Sequence, residues 1–244
     1  MKRIDLDHVA IAVNDVTEVL NALVGDLGVP VIFGGVNIGF RAMQVEAGNL
    51  RIELLEPFNV EANDFLERFL DRDGEGPHHL TFKTDDIRGE LERVTKAGYH
   101  PVGVNIENDF WKEAFIHPKE AGGTVVQIAQ SAFDAVDFDA VAGEYGPGRW
   151  WPEPPEPAAV RAHLDRVVVA TDDIDRSLGL YQALLQGEVA DGGEGWIELI
   201  WPAGGRIRIE AGTAEPGIDR LEWSYDGPRI ALQAGGTTFV LGPA

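Results

Sequence analysis

Cysteine is absent from the 244 residues, which removes disulfides, thiolate metal sites and a cysteine nucleophile together. Positive charge is scarce: 20 Lys and Arg stand against 41 Asp and Glu, for a formal net charge of −21. Phosphate backbones are held by clustered Lys and Arg, and no such cluster occurs, which argues against nucleic acid as a partner. An anionic membrane surface is disfavoured on the same ground. No apolar run approaches the roughly 20 residues of a spanning helix. The opening MKRIDLDHVAIAV enters a strand without the apolar stretch of a signal peptide. These absences lead to the expectation of a cytoplasmic protein acting on a small molecule, with acidity serving solubility.

What the chain does have is repetition. DHVAIAVNDV (7–16), HHLTFKTDDI (78–87), DRVVVATDDI (165–174) and, more weakly, DRLEWSYDGP (219–228) share one pattern. Each opens on a polar pair, runs through a strand-like stretch and reaches an Asp. After the first three copies, apolar residues recur at helical spacing: Val16, Val19, Leu20 and Leu23; Ile87, Leu91 and Val94; Ile174, Leu178, Tyr181 and Leu184. Paired strands with glycine turns follow at 40–57, 113–130, 196–212 and 230–244. The unit is therefore β-α-β-β-β, twice in 5–130, once in 164–212, and without its helix in 219–243. His8 to Glu53 is 45 residues, His79 to Gln127 48, and Arg166 to Glu210 44, whereas Arg220 to Val240 is only 20. The expected fold is α+β, with tandem units closing into an open curved barrel. Two domains are expected, 1–130 and a degenerate 163–244, joined by an acidic, Pro-rich linker over 131–162. Trp150 and Trp151 in that linker read as staples onto one half.

The last strand of each unit pairs with its first, which brings four positions together. In the first half these are His8, Glu53, His79 and Gln127. Alternation sets His8 beside Ala10 and Ala12, and His79 beside Thr81 and Lys83, a face of small or polar residues suited to a cavity. Glu53 and Gln127 interrupt strands otherwise written for burial, and a buried carboxylate needs a partner or an ion. Two imidazoles, a carboxylate and an amide oxygen suit one divalent ion, Zn, Mn, Co, Ni or Fe, with two positions left for water or substrate. Taken singly, each of these residues reads as ordinary core or surface; their equivalent places in the repeat point to a metal.

The segments DHVAIAV, ELLEP, FLERFLDRDGEGPHHLTFKTDDI, AFIHP and GGTVVQI, all within 5–130, resemble the vicinal oxygen chelate superfamily. That superfamily includes glyoxalase I, extradiol dioxygenases and bleomycin-resistance proteins, and the likeness is nearest to the methylmalonyl-CoA epimerase branch. The resemblance implies a curved barrel around one divalent ion with ligands His8, Glu53, His79 and Gln127, and it favours His79 over His78. It also implies Gln at position 53 and Glu at position 127, which are exchanged here. The general-base Glu expected before the second ligand is replaced by GGVNIG, with Val36 and Asn37 at its place. Glu53, the only acid of the set, is then the candidate catalytic base. His117 and Arg41 are candidate substrate-binding groups, although a turn histidine bonded to backbone accounts for His117 better, and a surface ion pair accounts for Arg41 equally well.

In the second half the equivalent positions are Arg166, Glu210, Arg220 and Val240, which cannot hold a divalent cation. They read as an internal charge cluster, or alternatively as an anion pocket. With the second half covering the first, a monomer or homodimer is expected. The leading expectation is a lyase or isomerase of glyoxalase/epimerase type that shifts a proton beside a carbonyl or thioester. An Fe(II) extradiol-type dioxygenase and a non-catalytic, resistance-type binder are the alternatives.

Overall fold

The computed structural model describes residues 3–131, 150–159, 161–212 and 215–243. The architecture is α+β and built from the β-α-β-β-β unit. The first unit holds β1 (Ile4–Ala12), helix α1 (Thr17–Leu20), β2 (Val31–Val36), β3 (Gly39–Glu46) and β4 (Arg51–Phe58). The second holds β5 (Gly76–Thr84), α3 (Ile87–Lys96), β6 (Val102–Asn105), β7 (Trp111–Ile116), a short α4 (Pro118–Ala121) and β8 (Val125–Ser131). Between them lies α2 (Phe65–Asp73), for which the repeat has no place. The third unit holds β9 (His163–Thr171), α5 (Ile174–Leu178), β10 (Glu188–Gly193), β11 (Trp196–Ile200) and β12 (Arg206–Ala211). The fourth is β13 (Gly217–Ser224), β14 (Ile230–Ala234) and β15 (Thr237–Gly242), without a helix.

Units one and two share an eight-stranded sheet ordered β2-β3-β4-β1-β5-β8-β7-β6, and units three and four a seven-stranded sheet ordered β10-β11-β12-β9-β13-β15-β14. The first strand of each unit therefore lies next to its last, with β5 and β8, β9 and β12, and β13 and β15 in parallel register. The end strands β2 and β6 are not paired to each other, so the first sheet stays open. Helices α1 and α5 both widen into π turns, over Asn21–Asp26 and Gly179–Leu184, while keeping Leu23, Leu180 and Tyr181 buried.

By compactness the chain forms two units, each made of segments from both sheets. One contains the chain up to His8, the segment beginning at His79, and Arg166–Arg220. Its interior sets Phe82 of β5 against Trp201 and Tyr181, ring centroids 5.3 and 6.2 Å away, and Arg93 of α3 donates to the Leu184 carbonyl. The other contains Val9–His78 and the chain from Leu221. Here the turn Gly235–Gly236, with φ of 50° and 63°, joins β14 to β15 as a two-residue hairpin of the kind that needs positive φ twice. A Cβ on Gly235 would stand 2.4 Å from Val19 Cγ2, and one on Gly236 1.7 Å from the Glu75 carbonyl oxygen. Glycine is required there by contact as well as by conformation. In the same unit α2 lays Leu66, Leu70, Phe65 and Phe69 over Ala10, Ala12, Ala42, Phe40 and Leu55.

Of the expected linker, residues 132–149 and 160 lie outside the described residues. Trp150 donates from Nε1 to the Ala42 carbonyl at 3.1 Å, and Trp151 packs over Gly34, the stapling expected of them.

Candidate metal centre

His8, Glu53 and His79 come from β1, β4 and β5, three adjacent strands of the first sheet. Each offers a ligand atom, and the three atoms lie within 4.8 Å of one another. Both imidazoles are deep, His8 at 1% exposure and His79 at 5%, with ring centroids 5.7 Å apart and planes at 66°. Asp7 Oδ2 is 2.8 Å from His8 Nδ1. A carboxylate only accepts, so the proton belongs on Nδ1 and the lone pair on Nε2, the tautomer a metal ligand requires. Lys83 Nζ, 3.3 Å from Asp7 Oδ1, holds the other carboxylate oxygen. Glu53 Oε1 accepts a 3.0 Å hydrogen bond from Gln44 Nε2 directly across β3–β4. Two imidazoles and a carboxylate without thiolate form a donor set that fits a divalent ion of the Mn-to-Zn series.

Gln127 lies on β8, two residues past the partner of His79, with Thr81 opposite it. It is 6% exposed. Thr81 Oγ1 donates to Gln127 Oε1 at 2.5 Å, and Gln127 Nε2 donates to Glu113 Oε2 at 2.7 Å. Asp7, Gln44 and Glu113 are neighbours of these residues that sequence reasoning missed, whereas alternation had already set Thr81 on the face of His79. Of the three, only Asp7, adjacent to His8 in the chain, left a local signal.

The other candidates are engaged elsewhere. Arg41 pairs with Glu56, its cross-strand neighbour, and stacks 4.4 Å from the Trp150 ring and 5.5 Å from Phe58. Lying three residues from Gln44 and Glu53, the Arg41–Glu56 pair faces the opposite side of the sheet. His117 caps α4, its Nδ1 accepting from the Lys119 amide at 3.2 Å. His78 packs edge-on to Phe69 and Phe65, centroids 4.6 and 6.1 Å away. Burial lowers its pKa to about 4, an effect partly opposed by the charge of Glu53. Asn37 is exposed and closes a turn through its amide to the Phe40 carbonyl.

On the second sheet, Arg220 donates to both oxygens of Glu210 at 2.9 and 3.1 Å. Arg166 donates instead to Glu198, only 3% exposed, which also accepts from Arg206 and Arg208 at 2.7 and 3.2 Å. These positions form the internal charge cluster, enlarged by Glu198, Arg206 and Arg208.

Residues 7–115 match the family described as the glyoxalase/bleomycin resistance protein/dioxygenase superfamily. Human mitochondrial methylmalonyl-CoA epimerase is 30% identical over 136 residues, 52% of this chain and 73% of that protein. An ethylmalonyl-CoA/methylmalonyl-CoA epimerase from Cereibacter sphaeroides is 29% identical over 133 residues, 51% of this chain and 96% of that one. Among solved structures, a hypothetical protein from Staphylococcus aureus aligns with a TM-score of 0.68 over 99% of both chains at 13% identity, a likeness of fold.

Proposed function

Because the chain belongs to the glyoxalase/bleomycin resistance protein/dioxygenase superfamily, we propose that it is an isomerase of epimerase type. In this reading it moves a proton at the carbon beside the carbonyl of a small substrate, an acyl-CoA thioester being the first class to test. The observation that carries the proposal is the convergence of His8, Glu53 and His79, inside residues 7–115, which match the superfamily.

A divalent ion held by His8, Glu53, His79 and Gln127 would supply stabilisation for negative charge growing on the substrate carbonyl oxygen. Glu53 is the one carboxylate among these four and takes the proton: the C–H bond breaks, its electron pair moves toward the carbonyl, and the planar enolate is protonated on its opposite face from solvent, which inverts the centre while Glu53 releases its proton to water. Gln44 fixes the carboxylate through Oε1. Asp7 keeps the proton on Nδ1 of His8. Where the resemblance implies a general base, this chain carries Val36 and Asn37, neither of which can take a proton from carbon.

The test is elemental analysis of the purified protein, followed by proton exchange of acyl-CoA thioesters in deuterated water. Stoichiometric Mn, Co, Ni or Zn with exchange beside the thioester supports the reading. Glu53→Gln is expected to keep its metal and lose turnover by about 10²-fold or more; full activity in that variant removes Glu53 as the base. The two-His, one-carboxylate set also suits an Fe(II) dioxygenase, which bound iron with oxygen uptake on catechols would establish instead. Tight ligand binding by a metal-free protein would establish a sequestering role.

A further inference from the structure

We propose that Glu113 is a positioning residue, one that decides which end of the Gln127 amide faces the His79 side of the sheet. The inference rests on the reading of that face as a cation site.

An amide coordinates a hard or borderline cation through oxygen and not through nitrogen. Gln127 therefore serves as a ligand in only one of its two flip states. Its surroundings select between them unequally. Thr81, whose Oγ1 lies 2.5 Å from Gln127 Oε1, is no selector, because a hydroxyl both donates and accepts and would satisfy either end of the amide. Glu113 is different in kind. An ionised carboxylate has no proton to give, so the group facing its Oε2 at 2.7 Å must be the NH2. A flipped amide would set oxygen against oxygen there. Trp111 Nε1 donates to the same Oε2 at 2.8 Å, which anchors the carboxylate independently of Gln127. Register adds that this is no accident of a loop: Glu113 opposes Ala129 and Phe115 opposes Gln127 on β7–β8, so Glu113 and Gln127 share a face.

The first unit contains the complement. There Gln44 on β3 donates to Glu53 on β4 at 3.0 Å. Each unit thus pairs its inferred ligand with a partner of the other type on the neighbouring hairpin strand: an amide holds the carboxylate in one, a carboxylate holds the amide in the other. A glutamine ligand needs an acceptor for its NH2 if its oxygen is to stay free for a cation, and Glu113 supplies it.

The experiment titrates Co2+ into the metal-free full-length protein, reading affinity by chelator competition and the donor set by the visible spectrum. Glu113→Gln preserves volume but can present either oxygen or nitrogen, and affinity is expected to fall about 10- to 100-fold. The reciprocal double variant, Glu113→Gln with Gln127→Glu, restores one carboxylate and one amide in the opposite order. It is expected to regain wild-type affinity or exceed it. The metal-free melting temperatures of the three proteins report folding separately. Unchanged affinity in Glu113→Gln, or a double variant no better than the single, overturns the role of Glu113 while leaving the cation site standing. A wild-type protein that takes up no Co2+ overturns the cation site, and Glu113 with it.

Discussion

At the scale of single residues, two neighbouring histidines meet opposite fates. His79 turns toward His8 and Glu53, while His78 is wedged against Phe65 and Phe69 and held neutral, its pKa brought down to about 4 by burial. In the unfolded chain His78 takes a proton near its ordinary value of 6.5. A native pKa below the unfolded one means that the unfolded state binds more protons as pH falls. Stability is therefore full above about 6.5 and lost progressively toward about 4, by something on the order of 3 kcal/mol. Chemical denaturation across that window is expected to show the loss, and His78→Leu to flatten it; an equal slope in the variant would contradict the assignment. Repetition in the chain pointed to His8, Glu53, His79 and Gln127 as candidates, because equivalence of position does not depend on three-dimensional detail, and the structure brings ligand atoms of the first three within 4.8 Å of one another. Of their partners, Thr81 was legible by alternation from His79, but Gln44 and Glu113 were not: they act across strands, and a one-residue change of register would turn each to the other face. For the same reason the side taken by Arg41 could not be read from GFRAMQV alone.

At the scale of elements, glycines and small hairpins carry constraints that composition conceals. The Ala234–Thr237 hairpin lays Gly236 against the Glu75 backbone, where a Cβ would stand 1.7 Å from a carbonyl oxygen. Gly236→Ala is expected to cost about 2 kcal/mol or more and to lower the melting temperature by roughly 4–8 °C. Gly98, also at positive φ but with nothing within 4 Å, is the control: Gly98→Ala adds backbone strain alone, about 1 kcal/mol. Similar losses at both sites would mean that conformation, not contact, is what the hairpin requires. The strands and the helices following β1, β5 and β9 were readable from alternation and helical spacing. Helix α2 was not, although Phe65 and Phe69, like Leu66 and Leu70, are four apart, because a repeated unit cannot foretell an insertion between its copies. Nor does spacing distinguish an α-helix from one that opens into π turns, since the same side chains remain buried.

At the scale of the molecule, sequence order and compactness part company. Each compact unit draws on both sheets, one through Phe82 with Trp201 and Tyr181, the other through Gly235 on Val19. A fragment ending at residue 131 keeps all eight strands of the first sheet and the four inferred ligands, yet uncovers the apolar side that these contacts occupy. It is expected to aggregate or to melt without a sharp transition, as followed by circular dichroism and size exclusion; a soluble fragment melting as sharply as the whole chain would refute this. The same interleaving bears on birth at the ribosome. When residue 131 has been added, neither unit has its full complement of strands, since every strand of the second sheet lies beyond it. At roughly 5–20 residues per second, the strands of the second sheet follow over several seconds, during which a nascent sheet has its greasy side open to chaperones before those later strands arrive to claim it.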